Sequence, residues 1–485
     1  MPSGTASPTP SPITDHGGSG PYDVAIAGAG VVGLAAAFEL ARHGARVVVV
    51  EADRPGSGAS TVAAGMLAPG HEAHADPLLR ELGLHSHRLW PSFAEAVERV
   101  SGLTTGYVGR GIAVLATDPG EADELAARAS ERAVPPPDRP APSSQGAGTP
   151  GPGAGAPGTG ASGPAIRRAE QTGLAPADPA PHRAGSGVEL SDAGCGVELS
   201  DGGFRDPVWL AREDLPAHLA VFPGACGALF FPEGGHVDPV ATVRALAAAL
   251  AASGVTLLPG TRVHGWRDEP APGGRRLVAA LTTAGEIRAS WFVLAGGVYN
   301  ATLAAQAGFS LPVVPVKGQI LAVEPPAPVA AFVRGQVPVF GGSVYLVPRR
   351  DGRLLIGATE EPEAGYDTGI TLGAVGRLAT AAQRLLPELA GARWLKARAG
   401  LRPGTPDKRP IIGRAPGFVN ALVAAGHYRN GILLAPLTAR IVAVLCAGKA
   451  SGRSALPGGG EAVIPAHWLE ALRPERFAQA PPTAS

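Results

Sequence analysis

The hexad Gly28-Ala29-Gly30-Val31-Val32-Gly33 constrains this chain more than any other feature. It follows a run of strand formers, Asp23–Ala27, and opens an apolar helical stretch reaching about His43. A second strand, Arg46–Glu51, comes next, so the spacing predicts a β-α-β unit. Gly28 permits the tight turn, Gly30 lets a pyrophosphate approach the backbone, and Gly33 lets helix and strand pack closely. The first amides of the helix, at Val31 and Val32, then face the phosphates where the helix dipole favours an anion. Glu51 ends the second strand 18 positions after Gly33, placed to accept from a ribose hydroxyl. An acidic residue there argues against a 2′-phosphate, and so against NADP. A glycine triplet alone is weak evidence, but within strand, turn, helix and strand it points to dinucleotide binding.

Composition excludes several other classes. The chain has 41 basic and 41 acidic residues, which leaves no excess positive charge for nucleic acid or an acidic membrane surface. At 45% apolar it can bury a large core. Cys195, Cys226 and Cys446 are too few and too scattered for a disulfide framework or a metal cluster. No apolar run approaches the ~18 residues of a membrane span, and residues 1–21 lack the basic and apolar regions of a secretory signal. The expected protein is soluble and cytoplasmic.

The 68 glycines and 49 prolines are unevenly spread. Thr149–Pro164 is so rich in both that neither helix nor strand can propagate, and a short echo of Gly187–Asp192 follows at Gly196–Asp201. Residues 133–202 therefore read as a low-complexity insertion, and residues 1–21 and 451–485 as tails. The remainder divides into a nucleotide-binding domain from 22–100, 234–312 and 397–450, and a second domain from 101–132, 203–233 and 313–396. In the first, Pro239–Ala252 reads as a helix, and Thr256–Leu258 and Trp291–Leu294 as strands. In the second, Gln319–Val323, Val344–Pro348 and Leu354–Ala358 are β-branched runs broken by Gly and Pro, which predicts an antiparallel sheet. Helices are expected near Leu372–Leu386 and Leu434–Cys446.

A second small-residue loop, Gly56–Thr61 continuing into Ala63–Pro69, allows a backbone to run flat along an extended cofactor. With Phe231–Pro239, Val293–Gly297 and Pro315–Gln319, it makes the chain resemble the D-amino-acid oxidase family of FAD proteins. That resemblance covers Tyr22 to about Gly448. It implies an α/β fold, with a Rossmann-like FAD-binding domain and a second substrate domain built on a mixed or antiparallel sheet. It also implies FAD contacts at Ala52, Ala59, Ser60, Ala64, Gly65, Met66 and Val263, besides the hexad and Glu51. The stretch His427, Tyr428, Arg429, Asn430, Gly431, Ile432 and Leu433 matches the family's loop beneath the flavin.

Three further segments narrow the resemblance: Tyr345–Arg349, Ala399–Asp407 and Gly426–Pro436. Together they are similar to the ThiO-type glycine oxidase branch, which supplies an imine for the thiazole of thiamine. The carboxylate of an amino acid is held well by a planar guanidinium, which binds bidentately and does not titrate. The resemblance assigns that clamp to Arg402, a hydroxyl donor to Tyr345, and a second substrate contact to Arg429. Structural alternatives remain open for all three: a salt bridge for Arg402, a core aromatic for Tyr345, a loop-holding arginine for Arg429. The resemblance also implies that no side-chain acid or base is required beyond loss of the ammonium proton, because the neutral amine gives its Cα hydride to the flavin and water hydrolyses the imine. His427 reads as a loop residue held against the cofactor rather than as a base.

Two departures separate the chain from sarcosine oxidases. No cysteine stands near Gly400 to attach the flavin, and Leu354–Gly357 carries no lysine. FAD is therefore expected to be non-covalent. Glu360 departs from the apolar residue expected there. The expected partners are glycine, sarcosine or a small D-amino acid, together with molecular oxygen, in a homo-oligomer as is usual in that family. A dehydrogenase passing electrons to a quinone and a catalytically silent flavoprotein stand as alternatives.

Overall fold

The computed structural model describes residues 22–71, 76–130, 205–447, 453–455 and 461–477. The expected tail at 1–21 and insertion at 133–202 lie outside these residues.

Four consecutive valines, Val47–Val50, form a strand buried on both faces, the pattern of a strand inside a parallel sheet. It pairs in parallel with Tyr22–Ala27 on one side and Thr256–Leu258 on the other. Tyr22–Ala27 in turn pairs in parallel with Gly285–Leu294, and that strand with Ala421–Ala425. Ile411–Arg414 closes the edge in antiparallel sense. Gly285–Leu294 begins earlier than its apolar end suggested, and its first half joins an antiparallel extension with Gly274–Thr282 and Val263–Ala271.

Helices Val31–Arg42, Pro239–Ala252 and Ala435–Cys446 bury one face of the parallel sheet, joined by the 25-residue helix Pro77–Ser101. The long helix and Pro239–Ala252 start alike. Asp76 and Asp238 each accept from two first-turn amides, and a proline follows at the first helical position.

Among the described residues the second sheet has eight strands. In spatial order they are Arg393–Gly404, Val314–Glu324, Leu354–Gly357, Val344–Pro348, Val339–Gly341, Ile112–Ala116, Gly227–Phe231 and Val208–Ala211. Every neighbouring pair is antiparallel except Val339–Gly341 with Ile112–Ala116, so the sheet is mixed. One face packs on helix Leu372–Leu385 and the buried Phe222 and Phe332. The other packs Ile320, Tyr345, Val347 and Leu355 against Ala64 and Ala68 of the second small-residue loop.

Two expected boundaries move. Residues 397–404 belong to the second sheet, because Arg393–Gly404 pairs with Val314–Glu324 along its length, through Gly404 opposite Val314. The chain returns to the first sheet only at Ile411. The expected tail at 451–485 also contains a helix, Ala466–Leu472. Trp468 and Leu472 are four apart and so share one face of that helix, and with Ile464, just ahead of it, they are buried in the core around the first sheet. Among the described residues, no helix is long and apolar enough to cross a membrane.

Candidate active site

The loop at the start of Val31–Arg42 is built by its glycines against backbone. Gly28 adopts φ +114°, and a Cβ there would lie 2.4 Å from the Ala295 carbonyl oxygen. A Cβ on Gly33 would lie 2.0 Å from the Gly28 carbonyl oxygen. Gly30 differs: its Cβ would meet only Ser60 Oγ, at an ordinary 3.4 Å. No packing inside the protein demands a glycine at that position.

The helix has no acidic residue in its first turn. By helix geometry its first amides lack intrahelical acceptors, and Val31 N donates to Ser60 Oγ at 2.9 Å. At the strand end, Glu51 accepts from Ala29 N at 2.8 Å and from Asp53 N at 3.0 Å, one amide on each oxygen. Lone pairs therefore remain on both oxygens for hydroxyl donors. Ala52 lies in the exposed bend that follows. Val263 is buried at the start of its strand and packed in the same core as Val48 and Val50.

Ala59 and Ser60 form a short turn, and Met66 pairs with His236. Gly65, at φ +74°, is pressed against the Val237 carbonyl. Buried Arg349 donates to the carbonyls of Val237 and Ala64, bolting this loop to the segment ahead of Pro239–Ala252. Burial pushes its pKa down to about 10, so it stays cationic at neutral pH.

The loop 427–433 is held from three directions. Tyr428 takes a left-handed conformation, φ +49°, and its amide donates to the Pro403 carbonyl at 2.9 Å. The Leu433 carbonyl accepts from Ser86 Oγ at 2.6 Å and from Trp90 Nε1 at 3.0 Å, both on the long helix. His427 is buried with Nε2 3.0 Å from Thr438 Oγ1, and burial pushes its pKa down to about 4. It is neutral at physiological pH and engaged with the protein. Ile432 and Leu433 face the core, whereas Gly431 is half-buried. Asn430 is buried with its Oδ1 lacking a hydrogen-bond partner among the described residues, which in a native loop asks for a ligand donor.

The three expected substrate contacts, Arg402, Tyr345 and Arg429, meet in one cleft of about 450 Å³ on the second sheet. Two strand glycines make room for two of them. Arg402 lies opposite Val316, and its guanidinium is stacked over Gly318, where a Cβ would come 2.4 Å from Nη1. Tyr345 lies opposite Gly357, and its ring fills the space a side chain there would take. Arg402 Nη1 donates to the Thr359 carbonyl at 3.0 Å and to the Lys317 carbonyl at 3.4 Å. Among the described residues it makes no ion pair.

Sequence reading assigned Gly318 and Gly357 no role. Their signal was present: a glycine inside an apolar strand marks close approach of another group. Glu360 also lines the cleft. It accepts from the Tyr428 hydroxyl and lies 3.9 Å from Arg429 Nη1. The hydrogen bond and the neighbouring guanidinium hold its pKa below the ordinary range, and burial aided by Glu360 pushes Tyr428 up to about 12.

The chain is similar to known proteins over most of its length. The family model for FAD-dependent oxidoreductases matches residues 23–153 and 170–445. The chain is 34% identical over 429 residues to the glycine oxidase of Geobacillus kaustophilus, covering 87% of this chain and 92% of that protein. It is 32% identical to the bifunctional protein ThiO/ThiG of Trichormus variabilis, spanning 87% of this chain but about half, 52%, of that longer relative. The crystal structure of the Geobacillus kaustophilus glycine oxidase superposes with a TM-score of 0.67 at 32% identity, over 88% of this chain and 94% of that one. With a strand-turn-helix glycine loop, a carboxylate at the second strand end and a family match across most of its length, the chain belongs to the FAD-dependent oxidoreductase (DAO) family.

Proposed function

We propose that the protein oxidatively deaminates glycine, and by extension sarcosine or small D-amino acids, with molecular oxygen as acceptor. The products are the imine or 2-oxo acid, ammonia and hydrogen peroxide, with the imine serving the thiazole of thiamine in the cytoplasm. The observation that carries this reading is Arg402, a guanidinium seated over Gly318, making no ion pair among the described residues and sharing its cleft with Tyr345 and Arg429. Similarity to glycine oxidases over most of the chain supports the same substrate.

Bound FAD supplies the hydride-accepting chemistry. Gly28–Gly33 would hold its pyrophosphate, Glu51 the ribose, and Ala52 and Val263 the nucleotide end. Ala59, Ser60, Ala64, Gly65 and Met66 would run beside its extended part. His427–Leu433 would lie at its pyrimidine end, with the buried Oδ1 of Asn430 accepting a hydrogen bond there. Gly400, where sarcosine oxidases carry the cysteine that attaches their flavin, packs on Val62, which supports non-covalent attachment.

The chain's own residues bind and orient the substrate. Arg402 offers Nη2 and Nε to the carboxylate while the two carbonyls hold Nη1. Tyr345 donates its hydroxyl to the same carboxylate, which fixes Cα relative to the cofactor. His427 moves no proton, since its ring is neutral and bonded to Thr438.

The test is anaerobic addition of glycine to the yellow protein while following the flavin band, then oxygen uptake in air. Bleaching followed by reoxidation is expected, and acid precipitation should leave flavin in the supernatant. A band unchanged by glycine, sarcosine and small D-amino acids alike sinks the reading.

A further inference from the structure

Glu360 places in the cleft a charge that holding a simple amino acid does not require. Its segment is rigidly framed. Thr359 N donates to the Gln319 carbonyl, and Lys317 and Glu361 exchange backbone hydrogen bonds. The Glu361 carboxylate accepts from Gln319 Nε2 at 2.8 Å and from Thr359 Oγ1 at 2.5 Å, and Lys317 Nζ lies 3.9 Å away. Lys317 and Gln319 are each 1% exposed, so this frame is buried. It fixes Thr359 and Glu361 against the sheet, while Glu360 between them reaches the cleft and the pair Tyr428 and Arg429.

Two guanidiniums in one cleft would attract a ligand with two carboxylates. A carboxylate beside one of them cancels that attraction and repels a second ligand carboxylate. Glu121 and Glu124, which also line the cleft, add to the repulsion. We infer that Glu360 sets how many carboxylates a substrate can carry: by neutralising Arg429 it leaves Arg402 to receive one carboxylate and turns dicarboxylic amino acids away. This rests on the reading of Arg402 as the carboxylate clamp.

The experiment measures calorimetric dissociation constants on the FAD-loaded protein for methoxyacetate and oxydiacetate. These are unreactive acids with the same ether skeleton and one or two carboxylates. Glu360→Gln keeps an oxygen to accept from Tyr428 but removes the charge. Both acids gain from losing a negative charge near Arg402, but the diacid also gains Arg429. The preference for oxydiacetate over methoxyacetate should therefore rise about tenfold, a size set by the pair's partial exposure. Adding Arg429→Gln should return the preference to within about twofold of the parent. Glu360→Ala, which also loses the Tyr428 contact, should shift the preference the same way. An unchanged preference in Glu360→Gln, a gain that survives removal of Arg429, or opposite shifts in the two Glu360 variants would overturn the inference. Arg402→Met separates it from the underlying reading. Methoxyacetate binding that ignores Arg402→Met overturns the clamp and this inference with it. Binding that needs Arg402 while the preference stays flat overturns the inference alone.

Discussion

The glycine loop and the proposed substrate wall both depend on glycines, but on opposite partners. In the loop, Gly28 and Gly33 face fixed backbone carbonyls, those of Ala295 and of Gly28 itself. In the wall, Gly318 and Gly357 face the ends of side chains, Arg402 and Tyr345. A carbonyl in a packed core cannot retreat, whereas a guanidinium on a flexible stem can. The loop glycines are therefore conditions of folding, and the wall glycines are conditions of aim.

Substitutions can break or sharpen that contrast. The largest effect is expected at Gly28→Ala, where a left-handed φ and a contact at 2.4 Å combine. A loss of about 3–5 kcal/mol should leave little folded, flavin-containing protein, read from thermal unfolding and flavin content. Gly30→Ala is its control. Its Cβ meets nothing closer than 3.4 Å, so the FAD-free protein should melt as the parent does while FAD affinity falls. Equal melting of both variants would erase the distinction between the two glycines.

Arg402→Met tests the wall directly. The flavin spectrum should persist, while kcat/KM for glycine falls about 30- to 5,000-fold, the equivalent of ~2–5 kcal/mol for an unpaired desolvated carboxylate. A carboxylate-free amine should be nearly indifferent, and Lys should rescue only in part. Equal losses on both substrates would mean that Arg402 supports the fold instead.

A smaller effect is expected for Gly318→Ala. The new methyl displaces Arg402 rather than the strand, so KM for glycine should rise roughly tenfold with FAD retention unchanged. Flavin loss in this variant would place Gly318 with the loop glycines.

The smallest effect concerns His427, on the flavin-side loop. Burial lowers its pKa from an ordinary 6.5 to about 4. Between those values the unfolded chain binds a proton that the folded chain refuses. Its contribution to stability is thus complete above about pH 6.5 and drains away as pH falls toward 4, at about 1.4 kcal/mol per unit. His427→Gln should flatten that part of the slope in denaturant midpoints measured from pH 7 to 4.5. A slope as steep as the parent's would assign the acid sensitivity elsewhere, with buried His236, pushed down to about 3, the first candidate.

The sequence carried the nucleotide half in detail because its signals are local. Gly28–Gly33, Val47–Val50 and Glu51 lie within 24 consecutive residues, and each acts on near neighbours or on backbone. The strands Val344–Pro348 and Thr256–Leu258 and the helix Pro239–Ala252 also lie where apolar period and punctuation put them. By contrast, strand Arg393–Gly404 hides its pairing. Lys396, Arg398 and Arg402 make it look solvent-facing, and only its register with Val314–Glu324 assigns it to the second sheet. The apolar residues Ile464, Trp468 and Leu472 were readable but stand beyond a Gly- and Pro-rich stretch that resembles the start of a tail.

By itself, then, the sequence determined the glycine loop, the carboxylate at the strand end and the chemical types of the proposed substrate contacts. Tertiary structure decided where those contacts meet. Arg402 stands 84 positions from Gly318, and Tyr428 stands 68 from Glu360. Strand register and loop anchoring bring such pairs together, and neither is written in local spacing. Whether a charge in the cleft is free to receive a substrate or already neutralised depends on that distant pairing.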